Sequence, residues 1–220
     1  MSAESPFRHW EPAGFDLIET LRWEPAEGFI RRERHLARLA ASAAELGFEC
    51  DNDRIATALA RAVEGSQIPL RVRLVLSPDG KANASAQPYQ PLPAGTIWNL
   101  RLARTRLAST DRLLRHKTTR REAYAQARAE YPAAEADEVL LANERGEVCE
   151  GTITTLFADF GDGVLATPRL DCGLLAGVLR GEMLDQGKAM ETVLAFDDLR
   201  AAKALFVGNS LRGMIPARLA

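Results

Sequence analysis

The stretch DEVLLANERGEVCEGTITTLF, residues 137–157, decides the fold. Short apolar and β-branched runs alternate with a Glu-Arg-Gly turn, and a Gly-Asp-Gly turn follows at residues 161–163. This punctuation is typical of strands joined by tight turns, so we predict three short strands over residues 138–168. Glu150 lies where one strand opens, and a carboxylate fixed there can accept a hydrogen bond from a ring nitrogen. A glutamate exposed at a strand end is the simpler interpretation.

Downstream of this region, helical and strand patterns alternate. We predict a helix over 174–187, a strand over 190–196, a helical turn over 197–202 and a strand over 203–210. A glycine turn enters the first helix near Val178 and Leu179, and helix-start N–H groups favour an anion such as phosphate. Many helices begin after a glycine, however, and Ser210 can be either a phosphate ligand or an ordinary turn residue.

Upstream, the patterns predict two hairpins and three helices. The predicted strands lie within 14–32, around a turn at Pro25–Gly28, within 70–88, around a Pro-Asp-Gly turn, and within 95–103. Apolar spacing predicts helices over 34–47, 52–64 and 118–130, and residues 105–115 read as a loop. We therefore expect an α+β fold with two lobes, residues 1–95 and 96–220, and a site between them.

The composition excludes several functional classes. Hydrophobic residues make up 46% of the 220-residue chain, charged residues 26%, and the net charge is -2. A nucleic-acid-binding protein is usually basic overall, so the basic stretch LLRHKTTRREAY, residues 113–124, is local. The sequence has no apolar run of about 18 residues, so no membrane span is predicted, and the N-terminus lacks the apolar segment of a secretory signal. The three cysteines and three histidines show no metal-ligand spacing, so we expect reduced thiols, no zinc site and a cytoplasmic protein.

Two basic residues are candidates for cofactor chemistry. Lys117 lies among several cations, which lower the pKa of an amine, and a neutral amine is what Schiff-base chemistry needs. Arg38 lies about one helical turn from His35, and an inward-facing arginine can hold a phosphate. Taken alone, a solvated basic face and a solvent-exposed arginine are the simpler interpretations.

The order of these motifs carries a resemblance that none of them carries alone. ETLRW, RHLARLAASAAELGF, HKTTRR, DEVLLANERGEVCEGTITTLF, TPRLDCGLLAGVLR and VGNSLRGMIPA together resemble the class IV (fold type IV) aminotransferases, which use pyridoxal 5'-phosphate (PLP). The resemblance runs from about Gly14 to Leu219. Within the family, FDLIETLRW, RHKTTRREAY and CGLLAGVLR are most similar to 4-amino-4-deoxychorismate lyase, above all to the lyase domain fused to aminodeoxychorismate synthase. The implied fold is two-lobed and similar to D-amino acid aminotransferase, with a shortened N-terminal lobe.

The resemblance also implies residue roles. Lys117 would be the Schiff-base lysine and Glu150 the partner of the pyridine nitrogen. The implied phosphate ligands are Arg38, the amides of Val178 and Leu179, and the Ser210 hydroxyl. The candidates for substrate carboxylates are Arg22, Arg115 and Arg120.

Three departures from the family pattern bear on the reaction. The segment resembling D-R-G-x-x-x-G-D-G before the first strand is absent, and Thr154–Thr155 replaces an asparagine that many members have after the glutamate. Glu122 stands where aminotransferases place a tyrosine, with Tyr124 two residues later. The missing tyrosine weakens the aminotransferase interpretation more than the lyase interpretation.

The resemblance therefore implies a PLP-dependent lyase that converts aminodeoxychorismate into pyruvate and 4-aminobenzoate for folate biosynthesis. The alternatives are an aminotransferase acting on branched-chain or D-amino acids, a nucleic-acid-binding protein, and a family member that has lost activity. The small-molecule substrate would be aminodeoxychorismate or an amino acid. We expect a homodimer that acts alone or beside an aminodeoxychorismate synthase.

Overall fold

A four-stranded antiparallel sheet forms the first of two structural units in the computed structural model, which describes residues 14–220. The first unit extends to Gln90 and also contains His116–Arg120, and the second contains Pro91–Arg115 and Arg121–Ala220. In the first unit the strand order is β2-β1-β3-β4. The strands are β1 Leu17–Glu24, β2 Gly28–Phe29, β3 Leu70–Leu76 and β4 Ala82–Pro88. Both predicted hairpins, at 14–32 and 70–88, are confirmed.

Two helices cover one face of this sheet, α1 Arg32–Leu46 and α2 Asn52–Val63. Gly47, whose φ of 76° is left-handed, caps the C-terminus of α1, and Asp51 caps the N-terminus of α2 with a side chain that accepts from the amides of Asp53 and Arg54. Both predicted helices are confirmed. The alternating apolar residues of β1 and β3 pack against them, so the sheet has one apolar face and one polar face.

The segment His116–Arg120 joins the first unit as a short addition to β1. The Ile18 amide donates to the Lys117 carbonyl at 2.8 Å, the Thr119 amide donates to the Asp16 carbonyl at 2.9 Å, and Leu17 bridges Thr118. Strand β2 pairs only with the far end of β1, so this edge is open to the returning segment. The prediction of a helix from residue 118 is wrong in its start, because Thr118 forms an isolated bridge with Leu17 and α3 is Glu122–Ala129.

The second unit contains an eight-stranded mixed sheet of order β10-β9-β8-β11-β12-β5-β6-β7. Its strands are β5 Trp98–Leu107, β6 Glu138–Asn143, β7 Val148–Gly151, β8 Thr155–Asp159, β9 Leu165–Pro168, β10 Ala189–Thr192, β11 Ala204–Asn209 and β12 Gly213–Leu219. Its further helices are α4 Val178–Asp185 and α5 Phe196–Ala201, with 3₁₀ turns at Arg112–Arg115 and Leu170–Cys172.

Several sequence predictions for this unit need correction. Residues 138–168 form four strands, because β9 follows the Gly-Asp-Gly turn as a separate strand. The helix predicted from 174 begins at Val178, and β5 continues to Leu107 into the predicted loop. Strand β12 was not predicted, and it pairs in parallel with the start of β5, a partner more than 100 residues away in sequence. No helix within 14–220 is long and apolar enough to cross a membrane. The N-terminal stretch considered for a secretory signal lies largely outside the described residues.

Candidate active site

The Glu150 carboxylate is buried in the second unit, near the end of β7, with 5% of the residue exposed. Its Oε1 accepts from the Tyr124 hydroxyl at 2.6 Å and from the Leu175 amide at 3.1 Å. Burial raises the pKa of Tyr124 well above its usual value, and the negative charge of Glu150 raises it further. Tyr124 therefore stays protonated and donates to the carboxylate, which is not the exposed strand-end glutamate of the simpler interpretation.

Arg121, which no sequence motif indicated, lies beside Tyr124. Its guanidinium carbon lies 4.3 Å from the Tyr124 ring centroid, and its Nη2 donates to the Thr152 carbonyl. A cation over an aromatic ring is attracted by the negative face of the ring. The signal was present in the sequence, because Arg121 and Tyr124 are three residues apart at the start of a predicted helix.

A second buried carboxylate, Glu138 on β6, holds the turn that follows Glu150. Glu138 accepts from the Thr152 amide at 3.0 Å, the Ile153 amide at 3.1 Å and the Thr154 hydroxyl at 2.8 Å. Thr154 belongs to the pair that replaces the expected asparagine, and its hydroxyl therefore donates a hydrogen bond to Glu138. These bonds fix the chain beside Glu150, and no sequence motif pointed to Glu138.

The hydrogen bond between Tyr124 and Glu150 predicts a stability effect. Tyr124→Phe is expected to lower the free energy of unfolding by about 2 kcal/mol, since hydrogen bonds to charged groups are stronger than neutral ones. The control is Tyr131→Phe, whose hydroxyl donates to the neutral Leu102 carbonyl at 2.9 Å and should cost about 1 kcal/mol. Urea denaturation measures both changes. An equal or larger loss in Tyr131→Phe would contradict the charged character of the bond to Glu150.

The start of α4 packs against β11 in the same unit. Gly177 precedes α4 without a side-chain cap, and Val178 and Leu179 are buried. A Cβ on Gly177 would lie 2.7 Å from the Thr155 hydroxyl, and one on Gly208 would lie 2.8 Å from the Leu179 side chain. Both glycines therefore allow close packing around the start of α4, whose first-turn amides have no acceptor within the helix and can bind an anion.

Ser210 lies in the tight turn between β11 and β12, with 7% of the residue exposed. The Asn209 side-chain oxygen accepts from the amides of Leu211 and Arg212, at 3.1 and 2.9 Å, which shapes this turn. The second unit therefore carries an uncapped helix start, a buried hydroxyl and a buried carboxylate. This donor set fits a phosphorylated pyridine ring, because the helix start and hydroxyl suit a phosphate and Glu150 suits a protonated ring nitrogen.

Lys117 belongs to the first unit, where its main chain is paired with β1 and its side chain is half-buried. The preceding residue, His116, is buried, with Nδ1 3.0 Å from the Ser42 hydroxyl and Nε2 3.6 Å from the Glu45 carboxylate. Both partners lie on α1, so the lysine is held by its backbone on one side and by its neighbour on the other. His116 and Lys117 are therefore not freely solvated, whereas Arg112, Arg115 and Arg120 of the same basic stretch are exposed.

Arg38 forms a bidentate ion pair with Glu19 in the first unit. Its Nε donates to Glu19 Oε1 at 2.8 Å and its Nη2 to Oε2 at 2.6 Å, and His35 Nδ1 lies 2.6 Å from the same Oε2. The solvent-exposed interpretation of Arg38 is wrong, since only 12% of its side chain is exposed. Its role as a phosphate ligand stays a prediction.

The Glu19 carboxyl predicts a pH dependence of stability. Burial raises its pKa, but the positive charge of Arg38 and the hydrogen bonds from His35 and Arg38 outweigh this effect and hold the pKa at about 2. A carboxyl with a depressed folded-state pKa stabilises the fold above its unfolded value near 4.5, and that stability is lost as pH falls towards 2.

Glu19→Gln should therefore cost roughly 3 kcal/mol near pH 7, and the difference from the parent should shrink between pH 5 and pH 3. Urea denaturation at several pH values checks this. Glu33→Gln, at an exposed carboxyl in the first turn of α1, should change little throughout. A deficit in Glu19→Gln that is independent of pH would refute the assignment.

The three candidate substrate arginines have different surroundings. Arg22 on β1 donates to Glu24, and its guanidinium carbon lies 4.8 Å from the Tyr89 ring centroid. Arg115 ends a 3₁₀ turn of the second unit and is exposed, and Arg120 is an exposed residue of the first unit. Arg22 is thus the only one of the three that is partly buried. Among residues 14–220, no cluster of three His, Cys, Asp or Glu side chains could hold a metal ion.

Comparison with known proteins identifies the family. A family model described as amino-transferase class IV matches residues 16–220. The chain belongs to this family. Class IV enzymes are PLP-dependent, and the donor set of the second unit suits that cofactor. The resemblance seen in the sequence is confirmed, and the mixed fold is that of the fold type IV enzymes.

Three similar proteins carry the names of two different activities, an aminotransferase and a lyase. A crystal structure of a "Putative amino-acid aminotransferase" from Mesorhizobium loti is 65% identical, with a TM-score of 0.93 over 94% of this chain and 100% of that one. A "Putative aminodeoxychorismate lyase" from Schizosaccharomyces pombe is 30% identical over 81% of this chain and 79% of that protein. The 4-amino-4-deoxychorismate lyase of Pseudomonas aeruginosa is 27% identical, with a TM-score of 0.79 over 93% and 82% of the two chains.

Proposed function

We propose that this chain is a PLP-dependent 4-amino-4-deoxychorismate lyase, which eliminates pyruvate and leaves 4-aminobenzoate. The observation that carries a PLP function is the buried Glu150 carboxylate, held by the neutral Tyr124 hydroxyl and the Leu175 amide. The lyase reaction is supported by the Schizosaccharomyces pombe relative, which matches over 81% of the chain. It is also supported by the similarity of RHKTTRREAY to the lyases.

Four elements would hold the cofactor. Glu150 would keep a proton on the ring nitrogen, since an ionised carboxylate beside that nitrogen stabilises its protonated form. The amides of Val178 and Leu179, the Ser210 hydroxyl and the Arg38 guanidinium would bind the phosphate by charge-assisted hydrogen bonds. When bound, PLP withdraws electrons from the carbon that carries the substrate amine.

Lys117 would be both the attachment point and the base. Its amine, once released by the substrate amine, would take the proton from the substrate carbon that bears nitrogen. The C–O bond to the enolpyruvyl group then breaks, and the departing group regains a proton as pyruvate. The ring becomes aromatic without any oxidant, so hydrogen atoms and electrons balance within the substrate. The main-chain pairing of Lys117 with β1 would keep the amine in place for both steps.

An aminotransferase acting on branched-chain or D-amino acids is the second candidate. It is favoured by the name of the Mesorhizobium loti structure, which is 65% identical to this chain. The position where aminotransferases place a tyrosine is Glu122, an exposed residue at the start of α3. The nearby Tyr124 hydroxyl donates to Glu150, so Tyr124 does not simply take the place of the tyrosine that aminotransferases have at position 122.

The experiment that tests the proposal compares both reactions on one preparation. Purified, cofactor-loaded protein is given aminodeoxychorismate, and pyruvate and 4-aminobenzoate are measured. In parallel it is given a panel of branched-chain and D-amino acids with a 2-oxo acid. Stoichiometric pyruvate and 4-aminobenzoate support the lyase. Amino-group transfer without pyruvate release overturns it in favour of the aminotransferase, and inactivity in both assays indicates a member that has lost its activity.

We also propose a cytoplasmic homodimer in folate biosynthesis, acting alone or beside an aminodeoxychorismate synthase. Sedimentation equilibrium of the purified chain tests the dimer. Co-purification from its native cells, with the chain as bait, tests the synthase partner.

A further inference from the structure

The polar face of the first unit's sheet carries three arginines that lie close together. In β1 the side chains of Leu17, Glu19 and Leu21 face the helices, so Thr20 and Arg22 lie on the opposite face. In β3 the buried Val72 and Leu74 face the helices, which puts Arg71 and Arg73 on that opposite face too. The three arginines therefore share one surface, although Arg22 is far from the other two in sequence.

The strand register places two of these arginines directly opposite each other. Arg22 pairs with Arg71 across β1 and β3, and Thr20 pairs with Arg73. Like charges directly opposite on one sheet face are destabilising, because their Cβ atoms lie only about 5 Å apart. A folded protein that keeps such a pair gives up stability there, and a ligand that neutralises the charges is a reason to keep it.

The surrounding side chains do not neutralise this face. Arg22 is paired with Glu24, but no side-chain hydrogen bond or ion pair from Arg71 or Arg73 is found within residues 14–220. On β4, Gln87 lies opposite Arg71 and Ser85 lies opposite Arg73, and both are exposed. The face thus offers guanidinium, amide and hydroxyl donors, with one carboxylate among three cations.

We propose that Arg22, Arg71 and Arg73 form a recognition face for a small molecule with two carboxylates, and that the Arg22–Arg71 pair selects such a molecule over a monocarboxylate. A planar guanidinium binds a carboxylate through two parallel hydrogen bonds, so two adjacent arginines suit two carboxylates of one ligand. The inference rests on the proposed lyase function, whose substrate carries two carboxylates. It assigns Arg71 and Arg73, in place of Arg115 and Arg120, as the partners of Arg22.

The test uses isophthalate, a benzene ring with two carboxylates, and benzoate, which has one. Calorimetric titration of the full chain, with and without PLP, is expected to show isophthalate binding at least about tenfold more tightly than benzoate. Arg71→Gln should lower isophthalate affinity about tenfold and change benzoate affinity less than twofold. The matched control is Arg54→Gln, at an exposed arginine on α2, which should change neither affinity.

Thermal unfolding separates recognition from a structural role. Because Arg71→Gln removes a like-charge pair, its Tm should equal that of the parent or exceed it by about 1 °C. Equal affinity of the parent for isophthalate and benzoate, or parent-like isophthalate binding by Arg71→Gln, overturns the inference. Pyruvate release is measured on the same preparation: its absence together with intact discrimination would remove the lyase proposal and leave the recognition face in place.

Discussion

Lys117→Arg is expected to abolish covalent attachment of the cofactor and to lower pyruvate release by at least about a thousandfold. A guanidinium keeps the positive charge but is not a nucleophile and does not lose its proton near neutral pH. The hydrogen bond from Ile18 goes to the Lys117 carbonyl, so the change leaves the pairing with β1 intact. The Tm should therefore stay close to that of the parent, which separates a chemical defect from a folding defect.

Borohydride reduction followed by peptide mapping measures the attachment directly. The parent should carry the cofactor adduct on Lys117, and Lys117→Arg should carry none. The control Lys81→Arg changes an exposed lysine in the turn between β3 and β4, and it should keep both adduct and activity. An adduct on any other lysine of the parent would refute the assignment of Lys117.

Glu150→Gln is expected to lower kcat for pyruvate release roughly a hundredfold, with a smaller effect on KM. Glutamine keeps the shape of the side chain and can still accept from the Tyr124 hydroxyl and the Leu175 amide. It lacks the negative charge that would hold a proton on the ring nitrogen, and a preorganised charge in a buried site contributes on this scale. The loss should therefore appear in the chemical step.

Steady-state kinetics and the cofactor's absorbance spectrum measure this change together. Glu122→Gln is the control, since Glu122 is exposed on α3 and should alter kcat less than twofold. If Glu150→Gln has the kcat of the parent, then Glu150 does not serve the ring nitrogen, and its contacts with Tyr124 and Leu175 are structural.

The local elements were predictable because their signals are local. The Pro-Asp-Gly turn at residues 78–80 lies between two alternating strand patterns, and Gly80 adopts the left-handed φ of 77° that favours glycine. Helix α1 ends at Gly47 for the same reason, with a φ of 76°. These features depend on residues that are neighbours along the chain, so the sequence predicts them directly.

Two of the errors have a different cause, which is pairing between distant segments. Strand β12 forms a hairpin with β11, but its other edge pairs in parallel with the distant β5, and Thr118 bridges the distant Leu17 at the open edge of β1. Neither partner is visible in the local pattern, since the register of a sheet is set by side-chain packing across strands. The helical pattern after residue 118 was read too far towards the N-terminus for this reason.

The candidate site also combines features that local motifs indicated with features that depend on distant residues. The order of the motifs indicated the family and pointed to Lys117 and Glu150. Only the structure shows that Tyr124 donates to Glu150, that Arg121 lies over Tyr124, and that Glu138 holds the adjoining turn. Buried carboxylates with several donors are defined by their surroundings, and those surroundings come from different strands and helices.

Local patterns in the sequence indicated most of the elements, and the order of the motifs indicated the family and the residues of the proposed chemistry, because motifs and periodicity are properties of neighbouring residues. The tertiary structure decided which side chains share a surface. It placed Arg71 opposite Arg22, residues that are 49 positions apart, and it buried Glu150 beneath a protonated tyrosine. The physical reason is that hydrogen bonding and charge act through space over a few ångströms, whatever the separation along the chain.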